Sequence, residues 1–328
     1  MSAADRPQAW RRRLDGTWSR RLRSIADDRL DLLAWIIIAA LVVTAVFARP
    51  IRLTLPSALQ TLSVGLLPET VTLQPLQLAP HDPIDQNLAD RLHPPSREYP
   101  LGTDQLGRDI LSRLLVGARI SLSIGVVVVS ISLMIGTAVG VVSGYLGGWV
   151  DEALMRIVDI VLAFPGLLLA LVVAGILGPS LTNIMIALAV VGWTQYARIV
   201  RGSVLSVKQR DFVAAAKLTG VSEPRLVSTH VVPNVIGPVV ILATLDMAYV
   251  ILATAGLSFL GLGAQPPTPE WGTMLSGGRQ HLLTAWWIAN VPGVAIMVAV
   301  LAFNILGDSL RDLLDPRAAS RLEGKGGL

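Results

Sequence analysis

The 328-residue sequence has no cysteine, which excludes disulfides, thiolate metal sites and cysteine nucleophiles. Charge is scarce: 15% of the residues are Asp, Glu, Lys or Arg, against roughly 25% in an average soluble domain. Aromatics make up only 5% of the chain although 52% of it is hydrophobic. The apolar content is therefore aliphatic, the composition of a chain that crosses a membrane several times. The sequence has no GxxxxGK[ST] loop to cradle phosphates and no HExxH metal helix. His81, His93, His230 and His281 lack the spacing of a metal site, and no Ser/His/Asp set can be argued from position. A chemical reaction carried out by this chain thus has little to stand on. The net charge of +4 comes from basic residues beside apolar segments, a poor match to a nucleic-acid surface.

A span takes about 20 mostly apolar residues. Six stretches qualify, at 32–48, 120–142, 157–177, 181–200, 236–256 and 286–306, so the expected fold class is an all-α membrane protein with six transmembrane helices. Lys and Arg mark the cytoplasmic side of such a bundle. Residues 1–31 carry eight arginines, the segment after the fourth span carries Arg198, Arg201, Lys208, Arg210, Lys217 and Arg225, and the C-terminal tail carries Arg311, Arg317, Arg321 and Lys325. Six spans place all three on one face, with both termini cytoplasmic. The first span reads as an uncleaved anchor, because the charged region before it is too long for a typical signal peptide. Gly125, Gly136, Gly140, Gly175 and Gly192 lie inside spans and mark close helix packing. Residues 49–97 hold eight prolines and form an external loop with room for a short strand or helix. The resulting division is a tail at 1–31, the anchor at 32–48, an external Pro-rich loop and amphipathic segment at 49–119, a five-helix core at 120–306 with a cytoplasmic loop at 201–235, and a tail at 307–328.

That loop contains the most punctuated stretch of the chain, "QRDFVAAAKLTGVSEPRLVSTHVVPN" at 209–234. Asp211 can cap a short helix that runs through Phe212, Ala214, Ala215, Ala216 and Lys217. Gly220 suits the left-handed position that ends it. Ser222 can cap a second helix, with Pro224 in its first turn and Pro233 as its stop. The small side chains at 214–216 would suit the cleft of another protein or an interfacial position on lipid, and the residues alone leave both open.

Other polar residues sort by spacing. Asp109 and Arg113 read as an i,i+4 pair on an amphipathic helix at the membrane edge, and Arg156 with Asp159 as a local pair. Gln265-Pro266-Pro267-Thr268-Pro269 reads as a stiff extended run ended by Glu270 and Trp271, a candidate external gate, docking surface or packed lid, with Trp271 suited to the interfacial belt. Asp246 lies midway along the fifth span. An ionisable group there is costly and usually faces the bundle interior or a wet cavity, so it is the candidate for lining a pathway.

The 209–234 stretch resembles the EAA loop of ABC-importer permeases: Ala214-Ala215-Ala216, then Gly220 four residues on, then "HVVPN" at 230–234. "PLGTDQLGRDILSRLLVGARISL" (100–122), "LSFLGLGAQPPTPEWGTML" (257–275) and "LAFNILGDSLRDLLDP" (301–316) resemble the C-type permease of dipeptide, oligopeptide and nickel importers. The likeness runs in order over roughly residues 98–317. It implies a type I ABC importer permease in the bacterial inner membrane, paired with a second homologous permease and two ATPase subunits (or one fused pair), and fed by an external substrate-binding protein. It implies peptide cargo, with nickel or another small solute as the alternative, and no cofactor in this chain, since ATP and Mg would sit on the partner ATPases. It assigns the docking and coupling role to Asp211, Phe212, Ala214–Ala216, Lys217, Gly220 and Arg225. Ala214 stands where the family usually has Glu, which removes one possible salt bridge to the ATPase. A secondary transporter, the rival class, would usually show an inverted repeat of spans with broken helices at midplane, and no such repeat is visible.

Overall fold

The computed structural model describes residues 29–48, 51–54, 70–73 and 78–314. The arginine-rich start of the chain and the basic tail beyond Leu314 lie outside the described residues. Helix α1 (Arg29–Phe47) is the anchor. A two-stranded antiparallel ribbon follows, β1 (Ile51–Thr54) with β2 (Thr70–Leu73), paired from Ile51 opposite Leu73 to Thr54 opposite Thr70. Then come α2 (Ile110–Leu146), α3 (Gly148–Leu162), α4 (Gly166–Leu177), α5 (Leu181–Lys208) and α6 (Asp211–Leu218). The long helix α7 (Glu223–Phe259), the short α8 (Trp271–Gly278) and α9 (Trp287–Leu314) complete the described chain.

Five of these helices, α1, α2, α5, α7 and α9, are long and apolar enough to cross a membrane. The sixth expected span is broken. Between α3 and α4 the axis turns by 84°, where Pro165 precedes Gly166 and cannot donate a helical hydrogen bond. The 12 residues of α4 reach only ~18 Å at 1.5 Å per residue, short of the ~30 Å hydrocarbon layer.

The bundle is organised by α2 against α5. Gly136, Gly140 and Gly144 recur every four residues on α2, and a Cβ on them would meet the α5 backbone at Trp193 O (2.4 Å), Ala197 O (2.6 Å) and Arg201 O (3.0 Å). Small residues let helix backbones approach, and dispersion replaces the hydrophobic drive that lipid cannot supply. Gly175 packs against nothing within 4 Å, so that one marks no contact. Ionic ties join α5 to α3. Arg201 grips Asp151 of α3 through Nε and Nη2, both at 2.6 Å, and Ser143 donates to the same carboxylate. Arg198 of α5 reaches Asp159 at 2.7 Å, so Asp159 pairs across helices and not with Arg156.

At one end of the bundle Ser309 of α9 donates to Asp31 of α1, which places the start of the first helix beside the end of the last. The α5–α6–α7 connection lies at this end too: Lys208 donates to the carbonyl of Tyr145, at the close of α2, at 2.6 Å.

Candidate functional site

The α5–α7 connection is built around one buried stripe. Val213 and Ala216 of α6, with Leu226 and Val231 of α7, pack on Val200, Val204 and Val207 of α5. Val213 and Leu226 are fully buried. Asp211, Phe212, Ala214, Ala215, Lys217 and Leu218 face outward, Leu218 at 90% exposure. The outward face is therefore Ala214-Ala215 flanked by Phe212 and Leu218, and Ala216 belongs to the inner face.

The cap of α6 sets its angle. Gly220 has φ +77°, the Val221 N–H donates to Ala216 O (3.3 Å) and the Gly220 N–H to Lys217 O (3.0 Å). This 6→1 and 5→2 pair is a Schellman motif with glycine in its left-handed position. Arg210, not Asp211, occupies the N-cap, without a side-chain bond. Asp211 is the first helical residue, where a carboxylate favours the positive end of the helix dipole. Ser222 holds the N-cap position of the next helix but its side chain makes no cap bond. Arg225 is exposed there. Lys217 lies 3.6 Å from Glu223 and 5.6 Å from the centre of the Tyr145 ring, and Lys208 approaches the same ring at 5.4 Å. The exposed Lys217–Glu223 pair is worth about 0–1 kcal/mol; the valine and leucine stripe holds the element.

The second short helix does not stop at Pro233. It continues into the fifth span through a π turn at Val227–Val231, with the Val232 N–H reaching back to Val227 O. A proline ring clashes with the carbonyl four residues earlier, and the wider π turn accommodates it. Residues 223–259 thus form one continuous rod from the surface loop into the bundle.

Deeper in, Asp246 accepts a hydrogen bond from Tyr196 Oη at 3.0 Å. It borders a cavity of about 80 Å³ that also touches Gln195, Tyr249 and the α3–α4 break at Phe164 and Gly166.

The far end is organised by charge. Asp104 and Arg108 precede α2 in a tight turn and do not form an amphipathic helix. Asp109 caps α2, accepting from Leu111 N (3.2 Å) and Ser112 N (3.1 Å), and His81 Nδ1 lies 3.2 Å from it. Arg113 accordingly turns to Asp104 (3.6 Å), which also holds Arg108 at 2.7 Å. Arg113 further donates to Pro83 O at 2.8 Å, tying residues 78–100 to the bundle.

Gln265-Pro266-Pro267-Thr268 is a closed turn, with Thr268 N–H donating to Gln265 O (3.2 Å) across a cis Pro266–Pro267 bond. It replaces the expected extended run, and cis-proline at the third position defines this turn class. Gln265, Pro266 and Pro267 are exposed, whereas Glu270 and Trp271 are each 1% exposed. Glu270 caps α8 through Gly272 N and Thr273 N, both at 2.9 Å. Trp271 donates to Leu114 O at 3.1 Å, so it is an internal anchor and not part of an interfacial belt. Sequence reasoning missed Asp104, Arg108 and Arg113 as a buried cluster, because alternating charges at near-helical spacing also describe a solvated face.

The family model described as "Binding-protein-dependent transport system inner membrane component" matches residues 136–320. The chain is 41% identical to a dipeptide transport system permease protein of Alkalihalophilus pseudofirmus over 92% of this chain and 91% of that protein. It is 46% identical to a probable D,D-dipeptide transport system permease protein of Escherichia coli over 74% and 82%. A glutathione transport system permease protein of Pectobacterium atrosepticum is 43% identical over 74% and 81%. Among solved structures, the inward-facing MetNI methionine ABC transporter superposes with a TM-score of 0.51 at 19% identity, covering 62% of this chain and 97% of that one.

Proposed function

The chain belongs to the family of binding-protein-dependent transport system inner membrane components, and from that premise we propose that it is the permease subunit of an ATP-driven importer of short peptides in the bacterial inner membrane. A second, homologous permease completes the pathway. ATPase subunits carrying ATP and Mg dock on the face that displays α6, which is cytoplasmic together with both termini, and a binding protein delivers cargo to the opposite face. The observation that carries the reading is the outward Phe212–Ala214–Ala215–Leu218 face, held at a set angle by the Gly220 cap and continuous through α7 with the bundle interior.

The mechanism follows from stiffness. ATP closes the two ATPases, and that motion displaces the docked α6. The buried stripe between α6, α5 and α7 transmits the displacement as a rigid-body shift, because packed interiors are bistable and not continuously deformable. ATP bound on a partner thereby biases the bundle between outward and inward packings. Asp246 lines the path, and the exposed turn at Gln265, Pro266 and Pro267, braced by buried Glu270 and Trp271, serves as gate or binding-protein contact. The permease performs no chemistry of its own. Peptide cargo is supported by the dipeptide and glutathione permeases among the relatives. The test is uptake of labelled dipeptide into proteoliposomes holding the reconstituted complex. ATP-dependent accumulation is expected, and accumulation driven by an ion gradient without ATP would replace this reading with a secondary transporter.

A further inference from the structure

At the end of the bundle opposite α6 lies a cavity of about 420 Å³, within the range of small-molecule sites. Helix α2 separates the two ends: its 37 residues measure ~55 Å, well over the ~30 Å hydrocarbon layer. Four charged side chains other than His281 line the cavity: Asp104, Arg108, Arg113 and Arg279. Three guanidiniums thus face one carboxylate, and that carboxylate is already compensated. Asp104 holds Arg108 at 2.7 Å and Arg113 at 3.6 Å, and it accepts from the backbone N–H groups of Leu106 and Arg108 at 2.8 and 3.1 Å.

Arg108 is the unusual member. It is 6% exposed, yet only its Nε among its side-chain nitrogens is bonded, to Asp104. Its two terminal nitrogens have no partner among the described residues. Arg113, by contrast, spends Nη1 on the carbonyls of Pro83 and Pro267. Gln105, which also lines the cavity, has a buried Oε1 with no partner. Buried polar groups are normally satisfied, so the Gln105 oxygen, an acceptor, lacks a donor such as a peptide N–H, while the Arg108 terminal nitrogens, which are not sealed from solvent, are free to take an anion. The planar fork of arginine matches a carboxylate in bidentate fashion, and the neighbouring Asp104 disfavours a dianion.

We propose that this cavity binds a small monocarboxylate through the Arg108 terminal nitrogens, and that the group it takes is the free C-terminus of a short peptide as it enters from the face opposite the ATPases. The peptide part of this inference rests on the import reading above.

The test uses the assembled importer in nanodiscs, without ATP and without binding protein. Equilibrium binding of a labelled dipeptide is compared with binding of its C-terminal amide. The acid binds about tenfold more tightly than the amide, the loss expected for a charge-assisted pair, and excess acetate displaces it. Arg108→Gln abolishes the preference. Because that change also disturbs Asp104, Gly277→Leu is the second variant. A Cβ at Gly277 meets only Gln105 Nε2, at an ordinary 3.5 Å, so the leucine fills the cavity while Arg108 and Asp104 stay in place, and the preference is again lost. Equal binding of acid and amide, no binding of either, insensitivity to acetate, or a preference that survives both variants overturns the proposal. ATP-driven peptide uptake without the preference removes this site alone. The preference without ATP-driven uptake removes the import reading alone.

Discussion

At the scale of single residues, the coupling loop depends on one backbone angle. Gly220 sits at φ +77° with open space around the position of a Cβ, so a side chain there meets conformational cost and no clash. Left-handed backbone costs a non-glycine residue roughly 1–2 kcal/mol, and most for a β-branched one. Gly220→Val is expected to lower ATP-driven peptide uptake several-fold with ATPase activity retained, because α6 is re-aimed; Gly220→Asn, which tolerates this region, should recover much of it. Unchanged uptake by the valine variant would remove the coupling role. Leu226 tests packing. It is 0% exposed in the stripe under α6, and Leu226→Ala is expected to cost about 2–5 kcal/mol, read as a lower unfolding midpoint of the purified permease. Residue identities made the Gly220 cap visible in the sequence, whereas the stripe that puts Ala216 inward came only with packing. They misassigned ion pairs, because Asp159 has Arg156 three residues away but finds Arg198 on another helix. Spacing along one helix cannot report which helix lies alongside.

Among elements, the α2–α5 contact is the structural spine. A Cβ on Gly140 would lie 2.6 Å from Ala197 O and 2.7 Å from Val200 Cβ, with backbone that cannot yield. Gly140→Leu is expected to push α2 and α5 apart and abolish accumulation of folded permease, measured as monodisperse protein after detergent extraction. Gly175→Leu, at a glycine with no neighbour, should accumulate normally. Helix α5 is also clamped to α3 by the Arg201–Asp151 pair. Arg201→Gln leaves a partly buried carboxylate without its cation and is expected to destabilise the α3–α5 contact, read as faster proteolysis within 148–165. The start of α7 is also decided at this scale. The sequence placed a stop at Pro233, whereas the π turn lets the helix pass.

Over the whole molecule, the two working ends lie on opposite faces, joined by α2, α5 and α7. The proposed ATPase docking belongs to one end. With Ala214 where the family usually has Glu, docking under that proposal would rest on shape, on Phe212 and on Leu218, both exposed. Ala215→Trp is expected to leave folding intact and to reduce co-purification of the ATPase subunits at least tenfold, the effect of about 1.4 kcal/mol or more at an interface. Normal recovery of the ATPases would show that another surface binds them.

The sequence by itself determined the rough position of five of the six expected spans, the glycine-capped surface helix and the family likeness. Each of these rests on local quantities: hydropathy over a helix length, turn chemistry, and motifs in order. Tertiary structure alone decided the burial of Glu270 and Trp271 and the convergence of Asp104, Arg108 and Arg113. Those features depend on which backbone carbonyls and charges come within bonding distance across segments up to 157 residues apart in sequence, as between Trp271 and Leu114. Such partners are chosen by packing, which no local pattern encodes.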